Sequence, residues 1–369
     1  MPNDWYQIEN ADEIASPALL VYPKRIRENI RKMLEMAGST DRLRPHVKTH
    51  KMAEVVKLQV EAGITKFKCA TIAEAEMTAA SGGKDILLAY QPVGPNVNRL
   101  LALCLKFPEV AFSAVVDQKR AIHALSDAFM EAGLTLSLLI DLDVGMHRTG
   151  IEPGAKAIEL YRLIAELPGV EPAGLHAYDG HNHVGDLEER TQEYERCAGL
   201  VRNLRAALET EGLPVPRVVA SGTPTFPLHA ASGDVECSPG TTVFMDFGYG
   251  DKFPDLPFEP AAALLTRVVS KPGDDLLCMD LGVKAVASEQ PPPRVKLFDL
   301  DVTGFTNQSE EHLVAQTDNA SACQAGDVLY GIPRHICPTV AHYNEAVVVE
   351  DGKAVGRWEI TARNRKLTV

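Results

Sequence analysis

The chain lacks any long apolar run. Its longest, around Leu134 to Ile140, falls far short of the roughly 20 residues that a membrane-spanning helix needs. It also lacks a basic block. Lys and Arg number 37 against 50 Asp and Glu, a formal net charge of −13, which disfavours binding along a phosphate backbone and argues against nucleic acid as a partner. The seven cysteines follow no regular spacing, which fits a reducing compartment better than a disulfide scaffold. There is no tandem repeat and no low-complexity segment. The first residues, Met1-Pro2-Asn3-Asp4-Trp5, do not follow the charged-then-apolar layout of a secretory signal. The expectation is a soluble cytoplasmic protein with no membrane or nucleic-acid partner.

What is present is ordinary globular composition, 45% hydrophobic and 24% charged over 369 residues, too long for one small core. Short apolar runs alternate with longer helical patterns. Strands are expected at 43–48, 66–70, 85–90, 111–117, 135–143, 172–178, 217–221 and 235–239. Helices are expected over 23–37, 52–62, 73–80, 97–107, 119–131, 154–166 and 187–209, with a short one near 226–231. Regular β-α alternation implies a parallel sheet, and eight units close into a (β/α)8 TIM-type barrel. An open doubly wound sheet is the competing architecture, but no Gly-x-Gly-x-x-Gly follows the first strand. From about Gly250 the texture changes. Pro254, Pro257 and Pro260 cluster, and short β-branched runs take over, with Asp351-Gly352 as a hairpin signal. The expected organisation is a barrel over 17–248, with 1–16 and 249–369 forming an all-β domain.

In such a barrel the chemistry sits at the carboxyl ends of the strands. The first strand end offers His46, Lys48, Thr49 and His50. Later ones offer Asp141, Asp143 and Arg148, then His176, Tyr178, Asp179 and His181. The last two, Ser221-Gly222-Thr223 and Ser238-Pro239-Gly240-Thr241, lie where barrels often seat a phosphate on backbone N–H groups and hydroxyls. Each alone is an ordinary turn sequence; the pair in these places is more informative. A phosphate seat opposite a strand-end lysine points to pyridoxal phosphate, with Lys48 forming a Schiff base and the ring serving as electron sink. The segment Arg44 to Lys51 is dense in cations, which favours a neutral nucleophilic amine. A basic solvated loop is the competing reading of the same residues.

His335 and Cys337 stand two apart. On an extended segment that spacing points both to one face, so an imidazole and a thiolate could share one ion. Most such pairs are a surface histidine beside a buried thiol. The thiol would favour zinc, with manganese or magnesium as alternatives. His181 is read as a mouth residue near the substrate and His183 as structural. Cys69, Cys104, Cys197, Cys237, Cys278 and Cys323 are read as buried or partly buried thiols. Strand-end Asp141 and Asp143 are read as orienting neighbours such as Arg148.

Arg44 to Lys51 resembles the cofactor-lysine segment of the D-threonine aldolase and D-serine dehydratase family, within the alanine-racemase-like fold of pyridoxal phosphate enzymes. Asp143-Val144-Gly145-Met146-His147-Arg148-Thr149-Gly150 resembles the stretch that supplies an arginine to the cofactor, and His176 to His181 the one that supplies a tyrosine near its ring. Ser221-Gly222-Thr223-Pro224-Thr225 and Pro239-Gly240-Thr241 resemble the phosphate cradle, and His335-Ile336-Cys337 the metal pair. The resemblance runs from Ser16 to the region of His335. It implies Lys48 as the cofactor lysine, with Arg148, Tyr178, Ser221, Gly222, Thr223, Gly240 and Thr241 around the cofactor. It further implies His335 and Cys337 on a divalent metal, a D-3-hydroxy amino acid as substrate, and a homodimer. Retro-aldol cleavage of a D-threonine-like substrate is the expected activity, with dehydration to a keto acid and ammonia as the alternative. Racemisation and non-catalytic cofactor homeostasis are more remote.

Overall fold

The computed structural model describes residues 5–298 and 300–369, and these group into two compact units. The β unit comprises the chain up to Ile30, Thr49–Met52 and Thr241–Arg363. The barrel unit comprises Arg31–Lys48, Ala53–Gly240 and Asn364–Val369. No helix among the described residues is long and apolar enough to cross a membrane.

The chain contributes β1 (Ala18–Val21) to the β unit and then builds the barrel from β2 (Lys66–Cys69), β3 (Asp85–Leu88), β4 (Ala111–Val116), β5 (Leu136–Leu142), β6 (Val170–Ala177), β7 (Val218–Ala220) and β8 (Glu236–Cys237). These seven strands run parallel in sequence order. The eighth position of the ring is the segment 43–47, which forms parallel bridges to both ends of the sheet, Leu43 to Cys237 and His46 to Lys68. Its backbone is tied on both sides: Arg44 N–H donates to Cys237 O at 2.8 Å, His46 N–H to Pro239 O at 3.0 Å, and Lys68 N–H to Pro45 O at 2.9 Å. Pro45 has no N–H to give, so a continuous ladder cannot form there and only isolated bridges result. The α/β barrel expected from the eight-fold alternation is thus the observed fold. Leu87, Val115, Leu139, Ala173 and Val219 pack together as one buried cluster of the strands. Helices Lys119–Glu131, Ala155–Glu166 and Leu187–Thr210 carry apolar stripes such as Leu160, Tyr161 and Ile164, or Tyr194, Val201 and Leu204, that account for their burial.

A buried ion network fixes the start of segment 43–48. The Arg44 guanidinium, 0% exposed, makes two 2.8 Å contacts to the Asp85 carboxylate and a 2.7 Å contact to Glu236; Lys66 reaches Glu236 and Arg217 reaches Asp85. Asp85, Lys66 and Glu236 are the first residues of their strands and Arg217 immediately precedes β7, so this network lies at the amino ends of the strands. Lys48, four residues on, is thereby carried toward the carboxyl ends.

The β unit continues with β9 (Ala262–Gly273), β10 (Leu276–Met279), β11 (Val295–Leu297), β12 (Val302–Gln308), β13 (Leu313–Thr317), β14 (Val328–Pro333), β15 (Glu345–Glu350) and β16 (Lys353–Glu359). The sheet order is β12-β13-β10-β9-β1-β15-β16, with β14 also on β9 and β11 on β14. The hairpin between β15 and β16 turns at Asp351 and Gly352, both at positive φ, as a two-residue turn of this kind requires. Trp5, Tyr6, Tyr22, Phe298 and Tyr330 form an aromatic cluster over the sheet, with Tyr6 and Phe298 stacked at 4.0 Å.

The unit limits differ from those drawn on the sequence at 17 and 248. Strand β1 pairs antiparallel with β9 and parallel with β15, which places it in the β unit. At the other end, Arg99 donates to the carbonyls of Arg365 and Val369, and Glu76 accepts from Thr368 N–H, so residues 364–369 group with the barrel.

Candidate active site

In the barrel unit, Lys48 lies in the one-turn 3-10 helix Val47–Thr49 and its N–H donates to His46 Nδ1 at 3.3 Å. Its Nζ lies 5.7 Å from the centre of the Tyr178 ring, just beyond β6. The Arg148 guanidinium lies 5.2 Å from the same ring and Lys68 Nζ 5.5 Å from it. One phenol therefore gathers the expected cofactor lysine, the arginine expected beside the cofactor ring and a second lysine. Tyr178 reaches this place by folding back over its own loop. A Cβ on Gly180 would lie 2.1 Å from the Tyr178 ring, so only glycine fits there.

Lys68 is not among the candidates that the sequence offers. It lies next to the end of a short strand and is 2% exposed. Burial, followed by the charge of Lys48, depresses its pKa to about 7, against the opposing pull of Asp141 and Asp179. Asp141 itself binds His176 Nδ1 at 2.7 Å; despite burial, that imidazole and Thr149 hold its carboxyl below the usual range. His176 is buried and loses basicity to burial; its Nε2 has no partner among the described residues.

The loop carrying Arg148 is shaped by Asp143, whose Oδ1 accepts from the N–H groups of Gly145 and His147, each at 3.0 Å, and whose Oδ2 meets His147 Nδ1 at 2.8 Å. Asp143 thus orients His147, and through the backbone the loop, instead of bonding Arg148 directly. The loop returns onto β5 at Gly150 (φ +98), where a Cβ would lie 2.6 Å from Asp143 N.

The two phosphate-cradle segments are tied to each other. Ser221 Oγ accepts from Ser238 N–H at 3.0 Å and Thr223 Oγ1 from Gly240 N–H at 3.3 Å. Behind them Asp179, buried, accepts from Gly222 N–H (3.2 Å) and Thr225 hydroxyl (2.9 Å) and meets His229 Nε2 at 2.9 Å. The amides of Gly222 and Gly240 are therefore engaged within the loops, a role different from the phosphate contact expected of them. Ser238 Oγ is buried without a partner among the described residues, and this hydroxyl is free to meet an anionic oxygen. Ser238, Ser221 and Thr223, with Lys48, Arg148 and Tyr178, fit a phosphorylated pyridine aldehyde in chemical type: hydroxyls for the phosphate, an amine for the carbonyl, an arginine and a phenol for the ring's polar atoms.

The cation density expected at 44–51 is lower than the residue types imply. Arg44 is neutralised by Asp85 and Glu236. His50 is fully buried, which with Lys51 pushes its pKa down to about 3, so it is neutral.

His181 does not stand alone either. Its Nε2 meets Glu193 Oε1 at 2.8 Å and lies 3.7 Å from Cys197 Sγ, both on helix Leu187–Thr210. These three ligand types fall within 4.8 Å of one another, a spacing that suits a metal ion. However, Arg196 Nη2 lies 2.6 Å from the same Glu193 oxygen and 3.4 Å from Cys197 Sγ. The guanidinium already supplies the positive charge that an ion would bring.

In the β unit, β14 ends at Pro333, and His335 is the N-cap of the short helix Ile336–Val340. The expected extended arrangement of His335 and Cys337 is therefore corrected: the backbone is extended at His335 and helical from Ile336. The cause lies far away in sequence. Asp246 accepts from Ile336 N–H at 3.0 Å and from Tyr249 N–H at 2.9 Å, capping two helices at once. Burial raises the Asp246 pKa to about 6 against those bonds. The imidazole and thiol still converge: although burial lowers the basicity of His335, Cys337, Glu289 and Asp246 outweigh it and raise the pKa to about 9. His335 Nδ1 lies 2.5 Å from Glu289 Oε1. Cys337 Sγ lies 3.1 Å from the hydroxyl of Thr49, the residue after Lys48, and 3.5 Å from that of Thr241. Thr241, expected at the phosphate, thus directs its hydroxyl to the thiol. A nitrogen and a sulfur side by side, with hydroxyls on the sulfur, form a donor set suited to zinc.

Comparison with known proteins finds a family match in each part of the chain. The alanine racemase N-terminal domain matches residues 21–247 and the putative serine dehydratase domain residues 261–349. The chain is 32% identical to a D-threonine aldolase of Arthrobacter sp. over 95% of this chain and 93% of that protein. It superposes on the crystal structure of D-threonine aldolase from Filomicrobium marinum with a TM-score of 0.89 at 30% identity, covering 97% of this chain and 98% of that one. It also superposes on D-threo-3-hydroxyaspartate dehydratase from Delftia sp. HT23 with a TM-score of 0.82 at 26% identity, covering 94% and 97%. A cysteine-to-alanine mutant of that dehydratase is known in a metal-free form. With a barrel match over more than half its length and full-length likeness to an aldolase, the chain belongs to the D-threonine aldolase and D-serine dehydratase family of pyridoxal phosphate-dependent lyases.

Proposed function

We propose that this protein is a cytoplasmic, homodimeric, metal-dependent lyase that cleaves D-3-hydroxy-α-amino acids of the D-threonine type to glycine and an aldehyde. The observation that carries the reading is the full-length likeness to two D-threonine aldolases, joined to the His335–Cys337 pair in the β unit. When bound, pyridoxal phosphate supplies an electron sink next to the substrate's α-carbon. Lys48 would hold its carbonyl through Nζ; the hydroxyls of Ser221, Thr223 and Ser238 would face its phosphate, on loops that Gly222 and Gly240 shape, and Arg148 and Tyr178 would meet the ring's polar atoms. His335 and Cys337 would hold a divalent ion, zinc by the softness of the sulfur, which would supply Lewis-acid chemistry to a hydroxylated substrate. His181, fixed through Nε2 by Glu193, lines the substrate side.

In the aldol direction the hydroxyl proton passes to solvent as the oxygen closes to an aldehyde carbonyl, the Cα–Cβ electron pair stays on the α-carbon, and protonated Lys48 Nζ delivers a proton there to give glycine. A second reading has one specific observation in its favour, the thiol in the metal pair; a cysteine-to-alanine mutant of a D-threo-3-hydroxyaspartate dehydratase is known in a metal-free form. In that reading Lys48 Nζ removes the α-proton and the hydroxyl leaves as water, giving a keto acid and ammonia after hydrolysis.

The test is incubation of the purified, metal-supplemented holoenzyme with D-threonine, with products resolved by mass spectrometry. Glycine and acetaldehyde support the aldolase, and 2-oxobutanoate with ammonia replaces it by the dehydratase. Turnover of neither D-threonine nor D-serine overturns both.

A further inference from the structure

We propose that Glu289 is a positioning residue for the metal pair: its carboxylate takes the Nδ1 proton of His335 in a hydrogen bond and so presents Nε2 as the ligand nitrogen. This rests on reading His335 and Cys337 as metal ligands. The central observation is the 2.5 Å contact between Glu289 Oε1 and His335 Nδ1. A histidine binds a metal through an unprotonated nitrogen, and a carboxylate on the other nitrogen fixes both the tautomer and the ring plane.

The backbone on either side of Glu289 is bonded to the backbone on either side of His335. On one side, Ala287 N–H donates to the Thr339 hydroxyl at 3.2 Å, and that hydroxyl donates to His335 O at 2.7 Å. On the other, Arg334 N–H donates to Arg294 O at 2.7 Å, and its guanidinium donates to the carbonyls of Pro291 and Pro293 at 3.0 and 3.3 Å. The intervening Pro291-Pro292-Pro293 has fixed φ angles and no N–H groups, so the segment holds its shape with few bonds of its own. The carboxylate is thereby placed with little freedom, as a ligand-orienting group needs to be. The opposite ligand is treated in a matching way. Hydroxyls of Thr49 and Thr241 lie on Cys337 Sγ, where they can donate to a thiolate.

The plain alternative is a partly exposed ion pair, with side chains 35% and 44% exposed, of the sort that adds little to stability. The two roles part in a metal titration. Full-length holoenzyme is stripped of metal and titrated with Zn2+ in competition with a chromogenic chelator, alongside Glu289→Gln and Glu289→Asp. A positioning role predicts that Glu289→Gln weakens zinc binding about 10- to 100-fold, with Glu289→Asp recovering part of the loss and the melting temperature of the metal-free protein unchanged. Equal zinc affinity in wild type and Glu289→Gln overturns this role while leaving the metal pair intact. A wild type that takes up no zinc overturns the metal pair itself, and this role with it. Should Glu289→Gln not fold, 15N-histidine spectra of zinc-loaded wild type decide: a zinc-bound His335 Nε2 with protonated Nδ1 is expected, and zinc on Nδ1 refutes the role.

Discussion

Replacing Lys68 with Met should stabilise the cofactor-free protein, and the gain should depend on pH in a defined way. The amine is 2% exposed, and its pKa falls from the ordinary 10.5 to about 7, chiefly through burial and then through Lys48. A native pKa below the unfolded one means that the unfolded chain binds more protons between those two values. Unfolding free energy therefore rises with pH across that window, and the cost of burying the charge is fully present below pH 7. At about 1.4 kcal/mol per pH unit, the shift corresponds to an upper limit of about 5 kcal/mol. Methionine fills nearly the same volume without a charge, and Asp141 keeps His176 and Thr149 as partners, so the substitution leaves no unpaired carboxylate there. The assay is urea unfolding of both variants at about pH 6 and about pH 10 with linear extrapolation to water. Lys68→Met should gain about 2–5 kcal/mol at the lower pH and under about 1 kcal/mol at the higher. A gain independent of pH would reduce the effect to packing. Equal or lower stability at about pH 6 would refute the depressed lysine altogether.

Two further predictions concern parts of the molecule already described. His335→Ala or Cys337→Ala should leave the visible absorbance of the bound cofactor unchanged while lowering kcat at least about 100-fold, measured at saturating substrate and metal; full activity in either variant would remove the metal assignment. Arg44→Met should cost about 3–5 kcal/mol in chemical denaturation, because it strands the carboxylates of Asp85 and Glu236 at the amino ends of their strands; a loss below about 1 kcal/mol would show that Lys66 and Arg217 suffice to neutralise them.

The barrel is legible in the sequence because its middle strands, β3 to β6, are short apolar runs each followed by a helix. Even the segment at 43–48 can be counted, although Pro45 keeps it from forming a regular ladder. Strand β12 escapes for the opposite reason: Val-Thr-Gly-Phe-Thr-Asn-Gln shows no alternation, and none of its residues is fully buried. The four buried residues of β1 read locally like any barrel strand. Their partner lies in β9, and strand partners are not encoded in a four-residue window. At the candidate site, the residue types and their order along the chain can be read, but their local bonding cannot. The helical turn at Cys337 is capped by Asp246, about ninety positions earlier, and Gly222 N–H is claimed by Asp179. Lys68 carries a weak signal, a lysine at the buried end of a strand between Phe67 and Cys69. Glu289 carries none beyond its position ahead of a proline run.

The placement of β1 has a consequence for synthesis. Its residues pair with β9 about 240 positions later and with β15 about 325 positions later, so nearly the whole chain must leave the ribosome before the sheet can close. During that interval the barrel residues can already assemble, since their strands pair in sequence order with near neighbours. Leu19, Leu20 and Val21, fully buried in the finished protein, stay an unpaired apolar edge at least until β9 has emerged. Yield of soluble protein should therefore be limited by how long that edge waits. The rate of translation and the supply of chaperone should matter more for this chain than for an isolated barrel of the same size.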